Sequence, residues 1–187
     1  MDADLRAQHR LAVEQAGELV RRVQPGHLAR PTPCGDWTLA DLLAHMVGQH
    51  FGFGAAARHG DAPVEAYAPR PFDLAVWDES VADLLAAFAA ADPAGQAVLR
   101  EIAPAALPMA FVFSAQLLDT VVHTWDVAQS LGEPYEPSAE LAETVAAIAR
   151  AVPDDARRTR PNAAFAPALA STGSAWERTL AQLGRQP

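Results

Sequence analysis

Lysine is missing from this chain. All 14 basic side chains are arginine, set against 23 carboxylates, for a formal charge of −9. An acidic protein without a basic stripe matches a phosphate backbone poorly, so nucleic acid is not an expected partner. Cysteine occurs once, at Cys34, which rules out an internal disulfide and a Cys-cluster zinc site. A lone cysteine is most often a small buried hydrophobe. Its place just ahead of a helix start, where the dipole lowers a thiol pKa, leaves a nucleophile as the rarer alternative. No apolar run reaches the roughly 18 residues of a membrane span. The start, Met1-Asp2-Ala3-Asp4-Leu5, lacks the basic-then-apolar order of a signal peptide, so cytoplasm is the expected compartment. Strand alternation, internal repeats, Gly-rich phosphate loops and a G-x-S-x-G elbow are not evident either.

What is present favours helix. Half of the 187 residues are hydrophobic, alanine-rich segments dominate, and the length suits one domain, 1–187, with a real core. A first amphipathic helix is expected over about residues 4–24, stopped by Pro25-Gly26. A second starts at Thr38 and runs to about residue 59. Thr38 with Asp41 reads as a capping box carrying Asp in place of Glu or Gln. After a proline-rich loop from Ala62 to Pro71, Trp77, Val81, Leu84, Leu85 and Phe88 mark a third helix ending before Asp92-Pro93. Pro104 and Pro108 bracket the entrance to a fourth, which Gly132 ends. A fifth is expected over about Ser138 to Ala151, and a short terminal one contains Trp176 and Leu180. Trp37, Trp77 and Trp176 lie near helix starts or on apolar faces, where large side chains ordinarily fill the core. The basic run Arg157-Arg158-Thr159-Arg160 reads as a solvated loop.

The fourth helix holds the most informative pattern, Gln116-Leu117-Leu118-Asp119-Thr120-Val121-Val122-His123-Thr124-Trp125-Asp126. It is apolar nearly all round, and such a helix is buried. At about 100° per residue, Asp119 and His123 lie within about 40° of each other, and Asp126 falls about 20° to the other side of Asp119. Buried carboxylates need a charged partner, a hydrogen bond or a metal. A carboxylate and a histidine at i, i+4 can serve one cation. The same spacing also fits a plain buried pair, which is the commoner meaning of an isolated D-x-x-x-H. Asp126 fits a helix cap or an indole acceptor. A third ligand would tip the balance, and the second helix offers two histidines. His45 lies at the margin of its apolar face and His50 nearer the centre, so spacing does not choose between them, and either suits a satisfied core histidine.

Together, Trp-Thr-x-x-Asp-Leu-Leu-Ala-His-Met at 37–46 and Asp-x-x-x-His-Thr-Trp-Asp at 119–126 resemble the DinB-like superfamily of metal-binding helical bundles. The branch most similar is that of the N-terminal domain of mycothiol-dependent maleylpyruvate isomerase. The ending, Leu180-Ala181-Gln182-Leu183-Gly184-Arg185-Gln186-Pro187, is similar to that of short stand-alone members. The resemblance implies an all-α, DinB-like four-helix bundle with short additional helices, metal ligands facing inward from different helices. It assigns the metal to His45, Asp119 and His123. That branch carries glutamate where this chain has Asp119, so the ion would lie closer to the helix or bind through a water. Asp126 has no ligand role in the family; it is a candidate for orienting the His123 imidazole. Asp126 and His50 are also candidates for acid–base work.

Two imidazoles and one carboxylate leave a position open on a divalent ion, the pattern of a catalytic site. Zinc is the expected ion, and nickel and iron suit the same donors. The resemblance implies a low-molecular-weight thiol such as mycothiol as co-substrate and a small electrophile as acceptor. The reaction is then sulfur transfer or thiol-assisted cis–trans isomerisation, and the reading leans to an enzyme. The isomerase carries an additional C-terminal domain, so the resemblance does not carry maleylpyruvate over as the substrate, which is left open. Two alternatives stand: a metal-binding bundle without catalysis, acting as sensor or interaction protein, and a metal-dependent hydrolase or lyase using bound water. Oligomeric state is left open, a homodimer included.

Overall fold

Helix ends follow the local chemistry of the chain. In the computed structural model, which describes residues 2–160 and 163–187, α1 spans Asp2–Val20, α2 Leu39–His59, α3 Leu74–Ala90, α4 Met109–Leu131, α5 Ala139–Ala149 and α6 Ala175–Gln182. The α2 start is a capping box: the Asp41 amide donates to the Thr38 hydroxyl at 3.3 Å, and the Thr38 amide donates to the Asp41 carboxylate at 2.9 Å. Gly60 ends α2 and Gly132 ends α4, each with positive φ, 76° and 73°, which glycine adopts without a Cβ penalty. Asp73 caps α3 by accepting from the Val76 amide.

Two compact units divide the chain, the first running to Pro134 and the second covering Tyr135–Pro187. In the first, α1 packs on α4, α4 on α2, α2 on α3, and α3 on α1, closing a four-helix ring. Its core includes Val13, Phe53, Tyr67, Leu84, Phe88, Val112 and Phe113. The fold is mostly helical and DinB-like. Among the described residues, no helix is long and apolar enough to cross a membrane.

Three features depart from expectation. A small sheet forms from β1 (Asp61–Ala62), β2 (Gln96–Leu99) and β3 (Ala106–Pro108), with β1–β2 parallel and β2–β3 antiparallel. Its strands are too short for an alternation to register. Helix α1 stops at Val20 rather than near residue 24, because Arg22 and Val23 bond back three residues instead of four and tighten the last turn. The basic run at 157–160 is not a solvated loop throughout. Ala156–Thr159 forms a 3₁₀ turn, and Arg158 is buried, donating to the carbonyls of Val152, Pro153, Ala166 and Gln182. The guanidinium fork satisfies four inward carbonyls of the second unit at once, an arrangement that the linear pattern of charges does not reveal.

Candidate metal centre

Asp119 and His123 follow one another on a single stripe of α4, and His45 faces them from the neighbouring α2. The His45 Nε2 lies 3.7 Å from the Asp119 Oδ1, and the His123 Nε2 lies 3.4 Å from the same oxygen. The His45 and His123 rings meet edge to face at 5.1 Å. One ligand atom from each of the three falls within 4.8 Å of the others. Metal–nitrogen and metal–oxygen bonds of about 2.0–2.1 Å place tetrahedral ligand atoms about 3.3–3.4 Å apart. Both imidazole nitrogens lie within a few tenths of an ångström of that distance from the Asp119 oxygen, so the donors present suit a small divalent ion.

The electrostatics fit the same use. Burial works against the Asp119 carboxylate, but the imidazoles of His123 and His45 overcome it and hold its carboxyl well below the ordinary range. Burial likewise disfavours the His123 imidazolium, yet Asp119 first, then Asp126 and Cys34, raise it well above the usual imidazole value. Without an ion, the stripe is a carboxylate–imidazolium pair, and a cation arriving there displaces the imidazole proton.

Asp126 is fully buried, and its Oδ2 accepts from the His123 Nδ1–H at 2.9 Å. That bond turns the Nε2 lone pair toward Asp119 and His45. His50 is not brought to this cluster. It lies buried, with Nδ1 2.9 Å from the Ser80 hydroxyl and its ring 5.0 Å from Trp77, and burial pushes its pKa down to about 3. Its imidazole packs against Ser80 and Trp77 of α3 and is not among the groups that could hold an ion.

Two neighbours of the site escaped the sequence reading. Cys34, expected as a small buried hydrophobe, is only partly buried, and its thiol donates to the Asp126 Oδ2 at 3.0 Å, with Sγ 3.8 Å from the His123 Nδ1. Trp37, expected in the core, is 38% exposed with its ring 4.9 Å from that of His45. The segment between Pro31 and Thr38 folds back on itself through a bridge between those two residues, and the Thr32 hydroxyl accepts from the Cys34 amide and donates to the Trp37 carbonyl. Its one visible signal was the proline-bounded turn before a helix cap. Trp77 and Trp176 are buried, as expected.

The family model of the mycothiol maleylpyruvate isomerase N-terminal domain matches residues 9–128, a stretch that contains every residue of the cluster. Two Mycobacterium tuberculosis proteins described as uncharacterized, one from strain CDC 1551 and one from strain H37Rv, are each 30% identical over 144 residues, covering 77% of this chain and 76% of theirs. The crystal structure of the mycothiol-dependent maleylpyruvate isomerase superposes with a TM-score of 0.62 at 14% identity, over 80% of this chain and 69% of that one. A histidine-to-alanine mutant of the same enzyme gives 0.63 at 13% identity, over the same shares. At that identity the structural likeness shows the fold alone.

Proposed function

The chain belongs to the mycothiol maleylpyruvate isomerase N-terminal domain family, and on that premise we propose that it is a metal-dependent enzyme using a low-molecular-weight thiol such as mycothiol. It transfers the sulfur to a small electrophile, or isomerises a conjugated double bond by adding the thiol and expelling it again. The observation that carries this reading is the convergence of His45, Asp119 and His123 from two helices within 4.8 Å. A divalent ion held there, zinc by donor preference with nickel and iron as alternatives, supplies the Lewis acidity that keeps a thiol as its thiolate near neutral pH.

The chain's own groups do the rest. His45 and Asp119 each keep about a fifth of their side-chain surface exposed, so a thiol reaches the site from their side. His123 is 9% exposed and anchors the back of the site, its tautomer set by Asp126. Trp37 stands beside His45 as an apolar wall that excludes water from one flank of an incoming electrophile.

The test is metal content of untagged protein, with His45→Ala and His123→Ala beside the wild type, followed by thiol consumption with activated double-bond electrophiles. Loss of the His45-dependent equivalent of metal in both variants, with metal-dependent thiol consumption by the wild type, is expected. Metal binding without any thiol chemistry would sink the reaction and leave a binding protein. No metal under replete conditions would remove the site itself.

A further inference from the structure

His123 presents its two ring nitrogens to two different carboxylates. Its Nε2 faces Asp119 at 3.4 Å, and its Nδ1 faces Asp126 at 2.9 Å with the Cys34 sulfur 3.8 Å away. We propose that Cys34, His123 and Asp126 form a second cation site for a borderline-soft divalent ion such as zinc, back to back with the first on the His123 ring, which bridges as imidazolate when both ions are bound, its Nδ1 proton and the Cys34 thiol proton passing to solvent. This goes beyond the proposed reaction and requires neither its thiol nor its substrate.

The donor set is the first argument. Thiolate, imidazole and carboxylate are a recognised combination for zinc, and the three ligand atoms lie within 4.8 Å of one another. Bonds of about 2.3 Å to sulfur and about 2.0–2.1 Å to nitrogen and oxygen separate such atoms by roughly 3.3–3.6 Å. The observed separations of 2.9, 3.0 and 3.8 Å bracket that range, so adjustments of several tenths of an ångström suffice.

Charge is the second argument. Asp126 is 0% exposed. An ion bound there displaces the Cys34 thiol proton and makes the sulfur a thiolate beside that carboxylate. A divalent ion carries the two positive charges that offset the carboxylate and that thiolate.

Preorganisation is the third. The Cys34 amide donates to the Thr32 hydroxyl at 3.1 Å, and the Pro31–Thr38 bridge closes the loop, so the sulfur is held over α4 before any ion arrives. Cys34 remains partly exposed, which leaves a route for the ion.

The test is titration of metal-free, full-length protein with Co²⁺ in thiol-free buffer. Because Cys34 is the only cysteine, any thiolate-to-cobalt charge-transfer band reports it directly. Wild type is expected to take two equivalents, one of which raises the band. Cys34→Ser is expected to take one equivalent without the band, and His45→Ala one equivalent with it. Absence of the band in wild type would overturn the inference, leaving Cys34 and Asp126 as a hydrogen-bonded pair. A band that vanishes in His45→Ala would also overturn it, since the sulfur would then serve the first ion. Failure of the His45-dependent equivalent alone, with the band intact, would count against the proposed reaction and support the second site.

Discussion

An imidazole held between two carboxylates has its tautomer chosen by whichever accepts the stronger N–H bond. In His123 that acceptor is the buried Asp126, through Nδ1, and the Nε2 lone pair is left for the cluster. Asp126→Asn keeps the shape and removes the charge. The His45-dependent ion should then bind about 10–100-fold more weakly, as read by competition with a coloured chelator; unchanged affinity would reduce Asp126 to packing. A second pair of histidines makes a pH prediction. His9 donates from Nε2 to the Gln116 amide oxygen at 2.6 Å, and His50 pairs with Ser80. Burial lowers their pKa values to about 4 and about 3. The folded protein therefore resists protons that the unfolded chain takes up below about pH 6.5. The stability linked to both groups is full above that value and falls as the pH drops toward 4. Every tenfold difference in proton affinity between the folded and unfolded chain is worth about 1.4 kcal/mol. The raised His123 and lowered Asp119 do not interfere in this window, because the first loses its contribution only as pH rises above about 6.5 and the second only below about 3.9. Thermal melts of metal-free protein from pH 7 to 4.5 should fall steeply, and His50→Gln should flatten the slope. An equal slope in that variant would assign the acid sensitivity elsewhere.

Helix α2 shows how an element is shaped by what it must touch. Gly48 and Gly52 lie one turn apart, under the 3₁₀ turn Val64–Tyr67. A Cβ at Gly48 would run into the carbonyls of Tyr67 and Ala68, and one at Gly52 into the Tyr67 ring. Tyr67 is 1% exposed and packs edge to face on Phe53, so it has little room to retreat. Gly52→Ala should therefore destabilise by about 1–3 kcal/mol, despite the better helix propensity of alanine; a melting temperature equal to or above wild type would refute this. The start of α2 and both ends of α4 were legible because local groups make them: Thr38 with Asp41, Pro108 and Gly132. The Asp119–His123–Asp126 stripe was legible because helical spacing alone puts those residues together. The choice of His45 over His50 was not, since both lie near one face and only the neighbours differ, α4 for one and Ser80 and Trp77 of α3 for the other. Cys34 and Trp37 were missed for a related reason. Their positions come from a loop closed by the Pro31–Thr38 bridge, a contact with no periodic signature. Arg158 was misread because a run of arginines resembles a solvated face until four carbonyls are seen to surround one of them.

At the scale of the molecule, an ion held by the proposed ligands His45, Asp119 and His123 would cross-link α2 to α4, two sides of the closed ring in the unit that ends at Pro134. Those residues are far apart in the unfolded chain, 74 positions separating His45 from Asp119, so such an ion would bind the native state in strong preference to the unfolded one. Free ion at about 100 times its dissociation constant should then add about 2.7 kcal/mol, which for a unit of this size raises the melting temperature by roughly 10 °C. A chelator should reverse the rise, and His45→Ala should lack the part of it that the His45-dependent ion contributes. The pH dependence gives an independent reading. Binding displaces the proton held on His123 by Asp119, so the ion-dependent rise should grow from pH 6 to pH 8 while the metal-free protein loses the part of its stability linked to that proton. If the rise were the same in His45→Ala as in wild type, the ion would be acting at another place on this strongly acidic surface. The convergence of His45, Asp119 and His123 would then be a buried polar cluster that holds two helices together by itself.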